Sequence, residues 1–267
     1  MFALIRIGLL VGVRAHALKV LGLVALALVM LALLASTFSG RQPMTVGLDV
    51  GISSLRIVLL LMVLMWTQLL LANEVERKTL YFMLSYPFSR TQYLFARFIS
   101  LALLTLFAVI ALGLLLWVAL KLATWNNVGE ALPALDGRYL LMLFGIWLDL
   151  LVILAFAVLL CSLTTTPFLP LLLGLAFAIA ARGLGPTFDY LRQGTLADPD
   201  QIKLLGPVLE YAYLWLPDLS RLDWRVQVLY NMPIDTTQVG MAIVMACGYS
   251  IAMLCVACIV FERRNFV

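Results

Sequence analysis

Asp149 is the residue best placed to do chemistry, because it falls in the middle of the uninterrupted apolar run 139–161. A carboxylate at that depth is costly unless it pairs or works, either as a fixed charge or as a relay for a proton or cation. Arg56 and Arg182, in neighbouring apolar runs, are its predicted partners. Both are expected near the outer ends of their runs, where long side chains reach the interface, so an ion pair is favoured over a transport role. Gln68 is predicted to make an interhelical hydrogen bond. His16 is the only histidine, so no metal site or triad built on a second His is available. Cys255 and Cys258 share a helical face but have no His or carboxylate partner in their run, and they read as small packing residues. No Gly-x-x-x-x-Gly-Lys-Ser/Thr phosphate loop occurs, so ATP hydrolysis by that route is not expected of this chain. No catalytic residue, metal site or bound cofactor is predicted.

The elements that hold these residues follow from composition. Of 267 residues 64% are hydrophobic and 12% charged, too apolar for a water-soluble surface. The net charge of +4 comes with no basic run interleaved with aromatics, so nucleic acid is not an expected partner and the excess is assigned to cytoplasmic loops. A spanning helix needs about 20 apolar residues, and six blocks qualify, at approximately 18–38, 53–72, 98–120, 139–161, 168–186 and 239–261. Ser162 to Pro167 separates the fourth from the fifth, and Pro167 cannot continue a helix, so these two form a tight pair. An N-terminus in the cytoplasm puts Arg6, Arg14, Lys19, Arg77, Lys78, Arg90, Arg97, Arg263 and Arg264 inside, against Arg41, Lys121 and Arg138 on short outer loops. That is the sense the positive-inside rule favours. The first block is too long for a signal h-region and is expected to be retained. Residues 1–17 suit a helix lying in the inner interface, against membrane lipid. Residues 187–238, preceded by Pro186 and holding Pro199, Pro207, Pro217 and Pro233 with Tyr211, Tyr213, Trp215 and Trp224, suggest short external helices that cap the route or touch a periplasmic partner. Headgroup anchoring of those aromatics is the alternative. The expected fold is an all-α integral membrane protein, one transmembrane domain over 1–267.

The loop over 73–90 has the marks of a short helix with its own start and stop. Asn73 is predicted to cap it, Glu76 lies three residues on as in a capping box, and Pro87 ends it. Ser89 and Gln92 repeat the capping pattern at the start of the third span. Val75, Leu80, Phe82, Met83, Leu84 and Tyr86 make this piece too apolar for a solvated linker and too short to span. Its apolar face suits a groove on a partner protein or the headgroup layer equally well.

With Glu76, Arg77, Lys78, Thr79, Leu80, Leu84, Ser85, Pro87, Ser89 and Arg90 in this order, the segment resembles the loop of ABC-2 type transporter permeases. The short basic tail Phe261 to Phe266 fits the outline of that family, and Leu216 to Asp223 resembles its branch associated with multicopper-enzyme maturation. The resemblance implies six spans, an interfacial N-terminal helix and a cytoplasmic coupling helix between spans two and three. It implies that Glu74, Glu76, Arg77, Lys78, Thr79, Leu80, Phe82, Met83, Leu84 and Pro87 meet a separate ATP-binding-cassette ATPase subunit, which would bind ATP and Mg. It further implies a permease homodimer, or a pair with a related permease, acting as an exporter in the bacterial inner membrane with both termini cytoplasmic. The competing expectation is an ion- or proton-coupled carrier using Asp149, which would need several buried ionisable groups and usually an internal repeat.

Overall fold

In the computed structural model, the described residues are 2–38, 43–76, 89–123, 137–164, 166–192, 216–230 and 232–263. Among them the secondary structure is helical, with no strand. Helix α1 is Phe2–Arg14, α2 His16–Phe38, α3 Pro43–Thr67, α4 Arg90–Ala123, α5 Gly137–Leu163, α6 Phe168–Arg192, α7 Arg225–Leu229 and α8 Thr236–Arg263. A 3₁₀ turn, Leu219–Leu222, precedes α7. Six of these helices are long and apolar enough to cross a membrane, as expected from the six apolar blocks.

Three boundaries differ from expectation, each for a physical reason. The second span begins at Pro43 rather than near residue 53. Proline is tolerated in the first helical turn, where its missing N–H would have no partner anyway. Asp49, the one charged residue of this added stretch, is half exposed and meets Arg225. At its other end α3 does not stop for a new cap. It runs through a π-helical turn, Gln68–Ala72, into Asn73–Glu76. Asn73 has helical dihedrals and donates its backbone N–H to the Gln68 carbonyl, so it continues the helix instead of starting one. Third, α6 runs past Pro186 to Arg192. The Thr187 hydroxyl donates to the Gly183 carbonyl at 2.7 Å just after it, and membrane helices carry a proline where their surroundings re-satisfy the freed backbone groups. The capping pair at α4 forms as predicted: the Gln92 amide donates to Ser89 Oγ (3.2 Å) and the Ser89 amide to Gln92 Oε1 (3.3 Å).

Helix α5 is the centre of the bundle and its most buried span, with α3, α4, α6 and α8 packed around it. Its core contribution is a run of small and branched residues, Leu148, Leu150, Val152 to Ala155, Ala157 and Val158, all nearly without exposure. Helix α2 packs along α3, and α1 breaks from α2 at Ala15 and lies along α4. The contact is tight where α1 is small: Gly8 faces Ser100 and Gly12 faces Leu104. Ser100 Oγ donates to the Ile5 carbonyl at 3.3 Å and Trp66 Nε1 to the Gly12 carbonyl at 3.2 Å. Phe2, Ile7, Leu10, Val11 and Val13 stay exposed on the other side of α1, an apolar face suited to lipid.

Candidate functional site

The spans position two polar clusters, one midway along α5 and one at the end of the bundle where α3 gives way to the loop. The first is built on Asp149. Along α5 it lies roughly 18 Å from the Gly137 end and roughly 21 Å from the other, at the helical rise of 1.5 Å per residue. Because α3 and α6 are longer than expected, Arg56 and Arg182 are also well inside their spans rather than at the interface. Asp149 is fully buried. Arg182 approaches its Oδ2 through Nη2 at 2.7 Å and Nε at 3.1 Å, and Arg56 donates to the same oxygen through Nη2 at 3.3 Å. Asp149 Oδ1 and Arg56 Nε are buried without a hydrogen-bond partner.

The chain between α6 and α8 enters this cluster. Arg56 Nη1 donates to Asp223 Oδ2, making a four-member network that alternates in sign: Arg182, Asp149, Arg56, Asp223. Arg225 sits 3.2 Å from Asp49 and also donates to Ser53 Oγ, which ties the start of α7 to α3. Asp218 closes on its own turn, accepting from the Ser220 amide, the Ser220 hydroxyl and Arg221 Nε. The apolar side chains of this segment turn inward: Leu219 and Leu222 have no exposure, and Trp224 is buried. Gly145 on α5 makes room for them, since a Cβ there would stand 2.6 Å from the Leu222 carbonyl oxygen and 2.9 Å from the Trp224 ring. Residues 216–230 are therefore packed into the bundle rather than lying on top of it. Trp224 faces protein and not headgroups; Tyr211, Tyr213 and Trp215 lie outside the described residues.

Paired guanidinium groups and carboxylates in equal number leave little net charge to bind a substrate ion, and breaking such a pair inside a span is costly. The cluster is suited to joining α3, α5, α6 and the 216–230 segment. Sequence reasoning found Asp149, Arg56 and Arg182 as ionisable residues in apolar runs. It missed Asp223, Asp49 and Arg225 because acids and bases in a segment of mixed composition carry no depth signal. Gln68 opens the π-helical turn, far along α3 from this cluster.

The second cluster stands where α3 gives way to the loop. Glu74 accepts from the Tyr93 hydroxyl and from Arg97 Nη2 of α4, and Arg97 Nε donates to the Tyr93 oxygen at 3.4 Å. Arg97 and Tyr93 are almost completely buried, with the guanidinium 5.4 Å from the Tyr93 ring centroid. Tyr93 stacks on Phe261 of α8 at 6.3 Å, and Arg90 donates to the Glu262 carbonyl at 3.1 Å. Glu74 was singled out from the sequence as a loop residue. The sequence shows Arg97 only as an inside charge, and nothing in a single sequence marks Tyr93 as a partner or Arg97 as buried. The other loop candidates, Arg77, Lys78, Thr79, Leu80, Phe82, Met83, Leu84 and Pro87, and the side chain of Glu76, lie outside the described residues. Among the described residues no group of three or more His, Cys, Asp or Glu is placed to hold a metal ion.

Compared with known proteins, residues 17–266 match the family model described as ABC-2 family transporter protein. A search of the curated proteins gives no match.

Proposed function

The chain belongs to the ABC-2 family of transporter proteins, a multi-pass membrane permease of an ATP-binding-cassette transporter, and from that premise we propose that it is an exporter driven by a separate ATPase subunit through its 74–87 segment. The ATPase binds ATP and Mg. This chain supplies no catalytic residue, only the path and the mechanical linkage. Two permeases and two ATPase subunits form the working unit, in a bacterial inner membrane with both termini cytoplasmic and α1 in the inner interface. Residues 187–238 face the periplasm, where a partner could meet them.

The observation that carries this reading is the meeting of Glu74 with Tyr93 and Arg97. Glu74, at the end of the helix that continues α3, meets Tyr93 near the start of α4, so the two described ends that flank residues 77–88 are joined, and the apolar residues of that segment suit a groove on another protein. The carrier alternative has less support, because Asp149 is already compensated by two arginines and a proton relay works through groups that can exchange a proton.

The test is capture of the tagged chain in mild detergent with ATPase activity measured in the eluate. Wild type brings down an ATPase, while Glu76→Ala and especially Leu80→Asp lower the captured activity by about tenfold or more, the scale of a truncated interface anchor. Wild-type chain that is folded yet captures no ATPase overturns the reading.

A further inference from the structure

We propose that Arg97, together with Glu74 and Tyr93, is a positioning residue of the transport cycle: it fastens both ends of the 77–88 loop into one rigid base, so that movement of the loop reaches α3, α4 and α8 together. The proposal rests on the ATPase-coupled reading above and adds to it where the force enters the bundle.

Four observations converge on this point. The carboxylate of Glu74 takes a bond from each of two α4 side chains, one oxygen to the Tyr93 hydroxyl and the other to Arg97. This joins the exit of the loop to its re-entry across a gap of 23 residues in sequence. Second, Arg97 is 1% exposed although it stands only two turns into α4, the longest helix of the bundle. A guanidinium there would ordinarily snorkel to water; here it is covered by α1, whose Gly8 would place a Cβ 3.3 Å from Arg97 Nη1. Third, Tyr93 and Arg90 pass the connection on to α8 through the Phe261 ring and the Glu262 carbonyl. Fourth, the helical turn immediately before Asn73 is π-helical. Such turns are places where a helix can change register or direction with little loss of hydrogen bonding, and they recur at functional positions.

The physical consequence is a stiff joint beside a compliant one. Removing Glu74 from Arg97 would strand a charge that is already out of water, so the pair resists separation and the base moves as one body. The π-helical turn lets that body tilt against the rest of α3. Without the charge pair, a push on residues 77–88 would reach α3 and α4 separately.

The experiment uses the full chain in complex with its ATPase in lipid nanodiscs. Cys161, Cys247, Cys255 and Cys258 are replaced, and Thr187→Cys, exposed near the far end of α6, is added as a reporter. Two quantities are read: ATP turnover, and the change in Thr187→Cys labelling rate between nucleotide-free and vanadate-trapped complex. Arg97→Met keeps the length of the side chain and removes its charge; Tyr93→Phe removes one hydroxyl and leaves the ring stack. Both are expected to capture the ATPase as wild type does and to keep ATP turnover, while the labelling change falls at least about fivefold, the lower range of measured couplings between sites. Arg97→Lys, which keeps the charge and loses the fork, restores part of the change relative to Arg97→Met. An undiminished labelling change in Arg97→Met and Tyr93→Phe overturns the proposal. Loss of ATPase capture in both variants also overturns it, because the cluster would then serve docking rather than transmission. Failure of the wild-type chain to capture any ATPase is a different result: it removes the underlying reading, and the proposal with it.

Discussion

At the scale of single residues, the charge network around Asp149 makes a prediction opposite in sign to the intuition that more deletions do more harm. Asp149→Leu leaves Arg182 and Arg56 inside the spans without the oxygen both now share. Removing one partner of a buried pair costs about 3–5 kcal/mol, more than replacing both by apolar side chains. Asp149→Leu is therefore expected to lower the thermal midpoint in detergent sharply. The double variant Asp149→Leu with Arg182→Leu should recover a substantial part of the loss, because Arg56 keeps Asp223. A double variant less stable than the single one would show that Arg182 contributes by something other than its pairing. The same residues mark how far one sequence can be read. A charge in an apolar run is conspicuous whatever its partners, so Asp149, Arg56 and Arg182 were legible. The depth of the two arginines was not, because it depends on where α3 and α6 end. Asp223 and Arg97 illustrate the converse: each is an ordinary charge by local composition, and only long-range packing buries or pairs it.

At the scale of elements, the legible part was the existence and type of each span, since about 20 apolar residues admit few alternatives in lipid. The less legible part was whatever depends on tertiary contact. The first ten residues of α3 carry Pro43, two glycines and Asp49, and Asp49 finds its partner only in tertiary contact, with Arg225. Asn73 has the composition of a cap but continues a helix that has already formed. The inward packing of 216–230 had no signal at all beyond its apolar side chains. That packing is testable at Gly145. Gly145→Val places side-chain atoms against a backbone carbonyl, which cannot rotate away, and against the Trp224 ring. Overpacking of this sort costs about 1–3 kcal/mol and is relieved by moving the weaker partner. The segment is held through Asp223 and Arg225, so it should lift while the spans stay folded. Amide hydrogen exchange is expected to rise within 216–230 and to remain unchanged across α5 itself. Equal acceleration in both would mean that the bundle core, rather than the segment, had yielded.

For the molecule as a whole, orientation decides what each polar cluster can do. The two ends of α8 report it directly: Thr237 and Glu262 are exposed at opposite ends of one helix, separated by roughly 37 Å of helical rise. The excess of Lys and Arg on one side of the bundle, including Arg90, Arg97 and Arg263, predicts that Glu262 is cytoplasmic and Thr237 external. In a cysteine-free background, Thr237→Cys should react in intact cells with a maleimide that cannot cross the membrane. Glu262→Cys should react only after permeabilisation. With that outcome the Glu74, Tyr93 and Arg97 base faces the compartment that holds ATP, and residues 216–230 reach the buried Asp149 network from the outer side. The reverse pattern would place the loop where no cytoplasmic ATPase can reach it, and neither the driven-exporter reading nor the positioning role of Arg97 would survive, however well the base is built.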